Sequence, residues 1–304
     1  MDVSQLPSDF FVREDAFTQK TYRDVYPAID PTRPELSQAG KVVVITGASR
    51  GIGKLGFAAS FARAKAEAIV LIARNASKLA ETEQLVKEIN PATKVLSLAV
   101  DVVDEPGIKD AFRQIVERFG TPHVLINNAG VTGALKSIFD EDIDSWWRTQ
   151  EINIRGTMIV TKAFLATTGR EPEAPTTIIH LSSTSAGMTP PGMSSYSLTK
   201  VAIVKLTTFM KDEHPSITTV AVNPGVVSTD MGNSIPFVIP FMKDTPELSG
   251  GLAVWLASGD KSFLSGRYVD ANWDVEELEA RKAEIQEGLL LTVGPRGKFG
   301  KNRE

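Results

Sequence analysis

The run Val42-Val43-Val44-Ile45-Thr46, which passes at once into Gly47-Ala48-Ser49-Arg50-Gly51-Ile52-Gly53, constrains this chain more than any other stretch. Four β-branched residues in series suit a strand buried on both faces, the environment found inside a parallel sheet. Glycines at 47, 51 and 53 then turn the chain into a helix. Without Cβ atoms the backbone can approach a pyrophosphate, and the new helix aims free N–H groups and the positive end of its dipole at it. From Lys41 onward strand and helix patterns alternate, which argues for a parallel sheet with helices on both faces. Strand candidates are 41–46, 68–73, 94–100, 123–127, 176–182, 217–222 and 267–270. Between them, Leu79, Thr82, Leu85, Val86 and Ile89 keep the rhythm of a half-buried helix. Helices are also expected over Asp144–Thr168, over Tyr196–Met210, and over Pro246–Leu256 with proline in its first turn.

Composition excludes several functions. The 304 residues carry a net charge of −4 and no basic block, so nucleic-acid binding has no electrostatic footprint. There are no cysteines, which rules out disulfides, thiol catalysis and cysteine-ligated zinc. The start of the chain shows no leader, and no stretch approaches the ~18 apolar residues that would span a bilayer. A soluble, cytoplasmic protein is expected. His123, His180 and His214 lack metal-ligand spacing and read as structural, so no metal is expected.

Tyr196 and Lys200 lie four residues apart in a helical pattern, one turn apart on one face. A lysine cation beside a phenol favours the phenolate and lowers its pKa. Such a phenol can pass a proton to or from a substrate oxygen.

These segments together resemble the short-chain dehydrogenase/reductase family, in its compact single-domain branch. Thr46 to Gly53 is similar to that family's Thr-Gly-x-x-x-Gly-x-Gly, and Asn127-Asn128-Ala129-Gly130 to its Asn-Asn-Ala-Gly. Asn153 matches the asparagine of the long central helix, and Ser183, thirteen residues before Tyr196, the serine of the catalytic set. Pro224-Gly225 followed by Thr229 matches the nicotinamide-side loop. The resemblance implies a Rossmann-like, doubly wound α/β fold with a mainly parallel seven-stranded sheet, over residues 41–274. Residues 1–40 form an N-terminal extension and 275–304 a C-terminal helical one.

In the resembled mechanism Ser183 holds the substrate oxygen while Tyr196 supplies or removes its proton. Lys200 also reaches the nicotinamide ribose, and Asn153 holds a water linking the site to solvent. Asn153 is equally open to reading as a helix-kink residue, and Asn128 as a turn residue. Ser182 is the competing serine, which the spacing assigns to capping or packing. Cofactor contacts carried over by the resemblance fall on Gly47, Ser49, Arg50, Gly51, Ile52, Gly53, Arg74, Asp101, Val102, Asn128, Ala129, Gly130, Tyr196, Lys200, Pro224, Gly225, Val227 and Thr229.

The expected cofactor is NADP. Where a member preferring NAD places an acid after the second strand, this chain has Ala73. Arg74 follows, Arg50 sits in the glycine loop, and two guanidinium groups with no nearby carboxylate suit a 2′-phosphate.

The apolar run Ile235-Pro236-Phe237-Val238-Ile239-Pro240-Phe241-Met242 occupies the position of the family's mobile flap. Read as a lid, it implies a hydrophobic small-molecule substrate; the alternative is a patch buried at a subunit contact. Met188 and Met193 would add adaptable wall.

Residues 1–40 place Phe10, Phe11, Phe17, Tyr22 and Tyr26 ahead of Pro27, Pro31 and Pro34. They read as an extended arm that docks either on its own domain or on a neighbouring subunit. The last strand departs from the family's Val-Asp-Gly-Gly, reading Val269-Asp270-Ala271-Asn272-Trp273-Asp274. A charged helix (Val275 to Glu287), a short apolar patch and a basic, glycine-rich end follow. Tail-mediated subunit contact is therefore not expected, whereas a homo-oligomer (dimer or tetramer) paired through the long helices is. The expected activity is hydride transfer between NADP and a carbonyl or secondary alcohol. Its rivals are a non-redox member that uses the same tyrosine for dehydration, isomerisation or epimerisation, and a nucleotide-binding sensor without turnover. The two extensions also resemble those of family members in fungal secondary metabolism.

Overall fold

A computed structural model describes residues 6–169 and 171–295; the basic end from 296 onward lies outside them. Seven strands, β1 (Val42–Thr46), β2 (Ala68–Ala73), β3 (Lys94–Ala99), β4 (Val124–Asn127), β5 (Thr176–Leu181), β6 (Ile217–Asn223) and β7 (Arg267–Asp270), form one sheet in the order β3-β2-β1-β4-β5-β6-β7. Every pairing is parallel, so the expected mainly parallel sheet is parallel throughout.

Alternation along β1 sends its side chains into two cores. Val43 and Ile45 join Phe57, Phe61, Leu79, Leu252 and Trp255 on one face. Val42 and Val44 join Ile108, Phe112, Ile115, Val160 and Phe164 on the other. Both faces being covered explains why the strand shows no polar residue until Thr46. Phe57, Phe61 and Phe164 are fully buried, and truncating such a ring to alanine costs about 3–5 kcal/mol.

The expected helices are present, with informative changes. The central one runs from Ile143 to Thr168 but is π-helical over Glu151–Gly156. The helix after the glycine turn is π-helical over Ile52–Ala58 before becoming α over Ala59–Arg63. Ser194–Glu213 and Pro246–Leu256 are α-helical, and the charged helix breaks at Arg281 into Val275–Ala280 and Lys282–Glu287.

The arm docks on its own domain. It contains a short helix (Phe10–Glu14) and two proline-initiated 3-10 turns. Tyr26, Ile29 and Leu36 are buried in the same core as Val275, Leu278 and Ile285 of the C-terminal helices.

Candidate active site

β1 and β4 are neighbours whose following connections leave in opposite directions, and the crevice at such a reversal is where open parallel sheets bind ligands. Here it is braced by Thr46 and Asn128. The Thr46 hydroxyl accepts from the backbone N–H groups of Asn128 (3.0 Å) and Ala129 (3.1 Å). The Asn128 amide donates to the carbonyls of Thr46 (2.9 Å) and Gly47 (3.1 Å). Asn128 is thus the turn residue, tying the two strand ends together.

The glycines are sterically required. Gly47 has φ +64, and a Cβ on Gly53 would stand 2.3 Å from the Gly47 carbonyl oxygen. Above this turn opens a cleft of about 700 Å³. It is lined by Gly47, Ser49, Arg50, Gly51, Ile52, Arg74, Asp101, Val102, Asn128, Ala129, Gly130, Tyr196, Lys200, Pro224 and Thr229, all expected from sequence. Gly53, Asn153, Ser183, Gly225 and Val227 are not among the residues that line it. The residues fit a dinucleotide: close backbone at the glycine turn, a helix start beside it, and cationic side chains at one end of the cleft with Tyr196 and Lys200 at the other.

At the arginine end one expectation is corrected. Both guanidinium groups do have carboxylates nearby. Arg50 Nη1 pairs with Asp230 Oδ2 at 2.8 Å, and Arg74 Nη1 stands 3.9 Å from Asp101 Oδ2. Both arginines are about two-thirds exposed, so these pairs are weak and exchangeable. Asp101 also accepts from the Val103 N–H at 3.2 Å.

At the other end, Lys200 is buried and its Nζ donates to the Leu181 carbonyl at 2.7 Å, 5.2 Å from the centre of the Tyr196 ring. Ser183 is the side chain whose polarity acts on the Tyr196 hydroxyl. The expectation that Lys200 lowers the Tyr196 pKa does not hold here. Burial pushes the phenol up to about 12, against the pull of Ser183. Burial also brings Lys200 down to about 8. Tyr196 is only partly exposed by surface area, and protein surrounds the hydroxyl closely enough for desolvation to win.

Asn153 sits in the π-helical segment, and π-turns concentrate at functional positions. Its side chain accepts from the Val131 N–H (2.9 Å) and donates to the Val131 carbonyl (2.8 Å) and the Thr199 hydroxyl (3.1 Å). It therefore joins the segment after β4 to the helix that carries Tyr196 and Lys200. Ser182 is buried at the cleft wall and its hydroxyl donates to the Lys200 carbonyl. His180 is buried between Asn127 and Met210, and desolvation holds it neutral with a pKa near 3. His123 accepts from the Val42 N–H. Among the described residues no cluster could hold a metal ion.

The segment after β6 is held from below. Gly225 has φ +84, the Val226 N–H donates to the Asp244 carboxylate, and Val227 bridges to Asp244. Thr229 caps the helix Asp230–Asn233. The apolar run that follows is a 3-10 helix over Pro236–Phe241. Here too an expectation fails: Ile235 and Phe241 are buried within the chain itself, Phe241 against Phe11 of the arm at 4.8 Å. Phe237, Val238 and Ile239 remain partly or largely exposed.

Several lining residues escaped the sequence reading: Lys54, Asn75, Lys78, Asp230 and Met231. Asn75 caps the helix Ala76–Ile89, a signal visible as an asparagine just before the apolar rhythm. Lys54 and Lys78 share Glu81, a contact that no spacing rule reveals.

The profile of the short chain dehydrogenase family matches residues 41–236. The short chain dehydrogenase citE of Monascus ruber is 39% identical over 280 residues, covering 90% of this chain and 94% of its own. Among solved structures, an NAD+-bound xylitol dehydrogenase superposes with a TM-score of 0.67 at 25% identity, over 77% of this chain and 98% of that one. A Shigella flexneri protein complexed with NADP gives 0.70 at 23% identity, over 79% and 99%. No helix among the described residues is long and apolar enough to cross a membrane. With the glycine turn, the Asn-Asn-Ala-Gly brace and the Tyr196/Lys200 pair converging on one cleft, this chain belongs to the short chain dehydrogenase family.

Proposed function

We propose that the protein is an NADP-dependent oxidoreductase that transfers a hydride between nicotinamide and a carbonyl or secondary alcohol of a hydrophobic small molecule, with Tyr196 as general acid/base. The observation that carries this reading is the placement of Tyr196 in the wall of the cleft, with the Nζ of buried Lys200, one helical turn on, 5.2 Å from its ring.

The nicotinamide, when bound, gives or takes the hydride. Ser183 orients the substrate oxygen, and Tyr196 gives or takes its proton. A phenol pushed up to about 12 is fully protonated at neutral pH, the form needed to donate to an oxygen that gains negative charge during carbonyl reduction. Lys200 then balances the phenolate left behind. Asn153 keeps the helix bearing both residues in register with the segment after β4.

The preference for NADP rests on this chain's own residues, since neighbours of the same fold carry either dinucleotide. Arg50 and Arg74 are exposed at one end of the cleft, and no carboxylate occupies position 73. Charge-assisted bonds to a 2′-phosphate are stronger than the exposed ion pairs they would replace. The apolar substrate class is supported by Val131, Ile152, Leu181 and Met231 in the cleft and by the exposed part of the 235–242 run. Ile143, Trp147, Leu198 and Phe209, exposed on the helices Ile143–Gln150 and Ser194–Glu213, support assembly of the chain as a homo-oligomer. We take residues 41–274 as the catalytic unit and the two termini as its extensions.

The test is NADPH oxidation against a panel of apolar and polar carbonyls, repeated with Tyr196→Phe. General acid–base catalysis contributes about 10²–10⁴-fold, so turnover should fall by at least that range with NADPH affinity retained. A variant keeping more than about a tenth of wild-type turnover would remove Tyr196 from the mechanism.

A further inference from the structure

Asp244 is a carboxylate with no exposed side-chain surface, placed just after the 235–242 run. One oxygen accepts from the backbone N–H of Val226 at 2.5 Å. The other accepts from Arg23 Nε at 2.6 Å and from Asn272 Nδ2 at 3.1 Å. Arg23 belongs to the N-terminal arm, 221 residues away in sequence. Its Nη2 also donates to the Phe241 carbonyl at 2.9 Å, and its own carbonyl accepts from the Thr245 N–H at 2.9 Å. One arginine thus neutralises the carboxylate and fixes the backbone on both sides of it.

We propose that Arg23 is a positioning residue for the nicotinamide half of the cofactor site. It pairs with Asp244 and holds it in place, and Asp244 holds the Val226 N–H and with it the Pro224–Thr229 segment. A carboxylate buried without its cation is strongly unfavourable and relaxes by protonation or by moving toward water. Either relaxation loosens the bond to Val226. The glycine turn and Arg74 share no bond with Arg23 or Asp244 and keep their geometry, and Arg50 touches the segment's end only through its exposed, exchangeable pair with Asp230. The effect is therefore selective, which separates positioning from a general loss of fold.

This inference rests on the reading that Pro224–Thr229 faces the nicotinamide. The test compares the dissociation constants of NADPH and of 2′,5′-ADP, which lacks the nicotinamide half, for wild type, Arg23→Met and Arg23→Lys, well below each variant's melting temperature. Losing the cation should weaken NADPH binding about tenfold or more while 2′,5′-ADP stays within about twofold. Arg23→Lys, which retains the charge, should recover most of the loss. Equal weakening of both ligands, or unchanged NADPH binding in Arg23→Met, overturns the proposal. If Arg23→Met does not fold, Arg23→Gln keeps one donor without the charge and is judged by the same two outcomes. A wild type that binds neither dinucleotide refutes the functional reading instead. One that prefers NADH refutes only the choice of cofactor, and the comparison then runs with NADH against ADP.

Discussion

Replacing Lys200 by methionine separates what the buried cation does for chemistry from what it does to the fold. Burial lowers the Lys200 pKa from 10.5 to about 8. One pKa unit is worth about 1.4 kcal/mol, so keeping this ammonium charged costs the native state about 3 kcal/mol at any pH below about 8. Because the folded pKa lies below the unfolded one, the unfolded chain holds more protons between about pH 8 and 10.5, and stability must rise with pH across that window. Methionine has similar length and no charge, so its curve lacks that rise. It also strands the Leu181 carbonyl, which loses the 2.7 Å bond from Nζ, at a cost of about 1–3 kcal/mol. The two effects nearly cancel near neutral pH, so the slope with pH is the sharper measurement. Urea unfolding of both proteins from about pH 7 to 10 should show wild type gaining about 2.5 kcal/mol relative to the variant. Tyr196 does not interfere, because both proteins carry it and the stability lost as its unfolded phenol titrates near 10.0 cancels in the comparison. Parallel curves would refute the claim that Lys200 is held charged against its surroundings. Turnover of the variant should collapse regardless, since nothing then balances the phenolate.

Three further outcomes follow from particular contacts. Specificity constants should favour NADPH over NADH by on the order of a hundredfold if both arginines reach the 2′-phosphate, with Arg74→Ala narrowing the gap mainly through NADPH; equal constants would overturn the cofactor reading. Burial raises Asp270 from 3.8 to about 7, so the native state holds the extra proton and wild type should lose up to about 4 kcal/mol relative to Asp270→Asn as pH rises through that interval; thermal melts at about pH 4 and pH 7 that differ equally for both proteins would contradict it. Phe241→Ala should cost about 3–5 kcal/mol in urea unfolding, whereas Ile239→Ala, already 47% exposed, should barely register; equal effects would mean that Phe241 is not anchored under the arm.

The sheet was legible because it repeats one simple signal. Short runs rich in β-branched residues mark β1, β2, β5 and β6, short apolar stretches mark the other three, and the expected limits of all seven agree with the structure to within a residue at each end. The cofactor end was legible for a related reason: Gly47, Gly53 and Asn128 act through backbone contacts that only those residue types can make. What stayed hidden depends on burial or on pairing across the fold. Spacing placed Lys200 beside Tyr196 but could not show that desolvation would outweigh the charge. Apolar character marked residues 235–242, but not that Phe241 would be covered while Ile239 stays open. Arg50 appeared free of carboxylates because Asp230 is 180 residues away in sequence. The π-helical turn at Asn153 has no periodic signature over so few residues.

Two departures from the family pattern, the aromatic arm and the ending Ala271-Asn272-Trp273-Asp274, turn out to be one device. Asn272 donates to the Tyr22 carbonyl and to Asp244. Trp273 Nε1 donates to the Asp15 carbonyl, and Thr21 pairs with Trp273 in an antiparallel bridge. Asp274 accepts from the Tyr22 hydroxyl and caps the helix Val275–Ala280. A Gly-Gly ending offers none of these side chains, so an arm of this kind would have nothing to hold. The arm in turn covers Phe241 with Phe11 and neutralises Asp244 with Arg23. The route from the last strand to the Pro224–Thr229 segment therefore runs through residues at opposite ends of the chain. Changing Asn272 alone should disturb both ends of it: Asn272→Gly frees the Tyr22 carbonyl and removes one of the three donors to Asp244. The bond to the Tyr22 carbonyl is worth about 0.5–1.5 kcal/mol and the one to the carboxylate about 1.5–3 kcal/mol, and neither loss leaves the carboxylate without its cation as losing Arg23 does. The variant should therefore fold, bind 2′,5′-ADP normally and show a smaller rise in the NADPH dissociation constant than Arg23→Met. A larger rise than Arg23→Met would mean that the backbone ending, and not the charge on the arm, positions the segment.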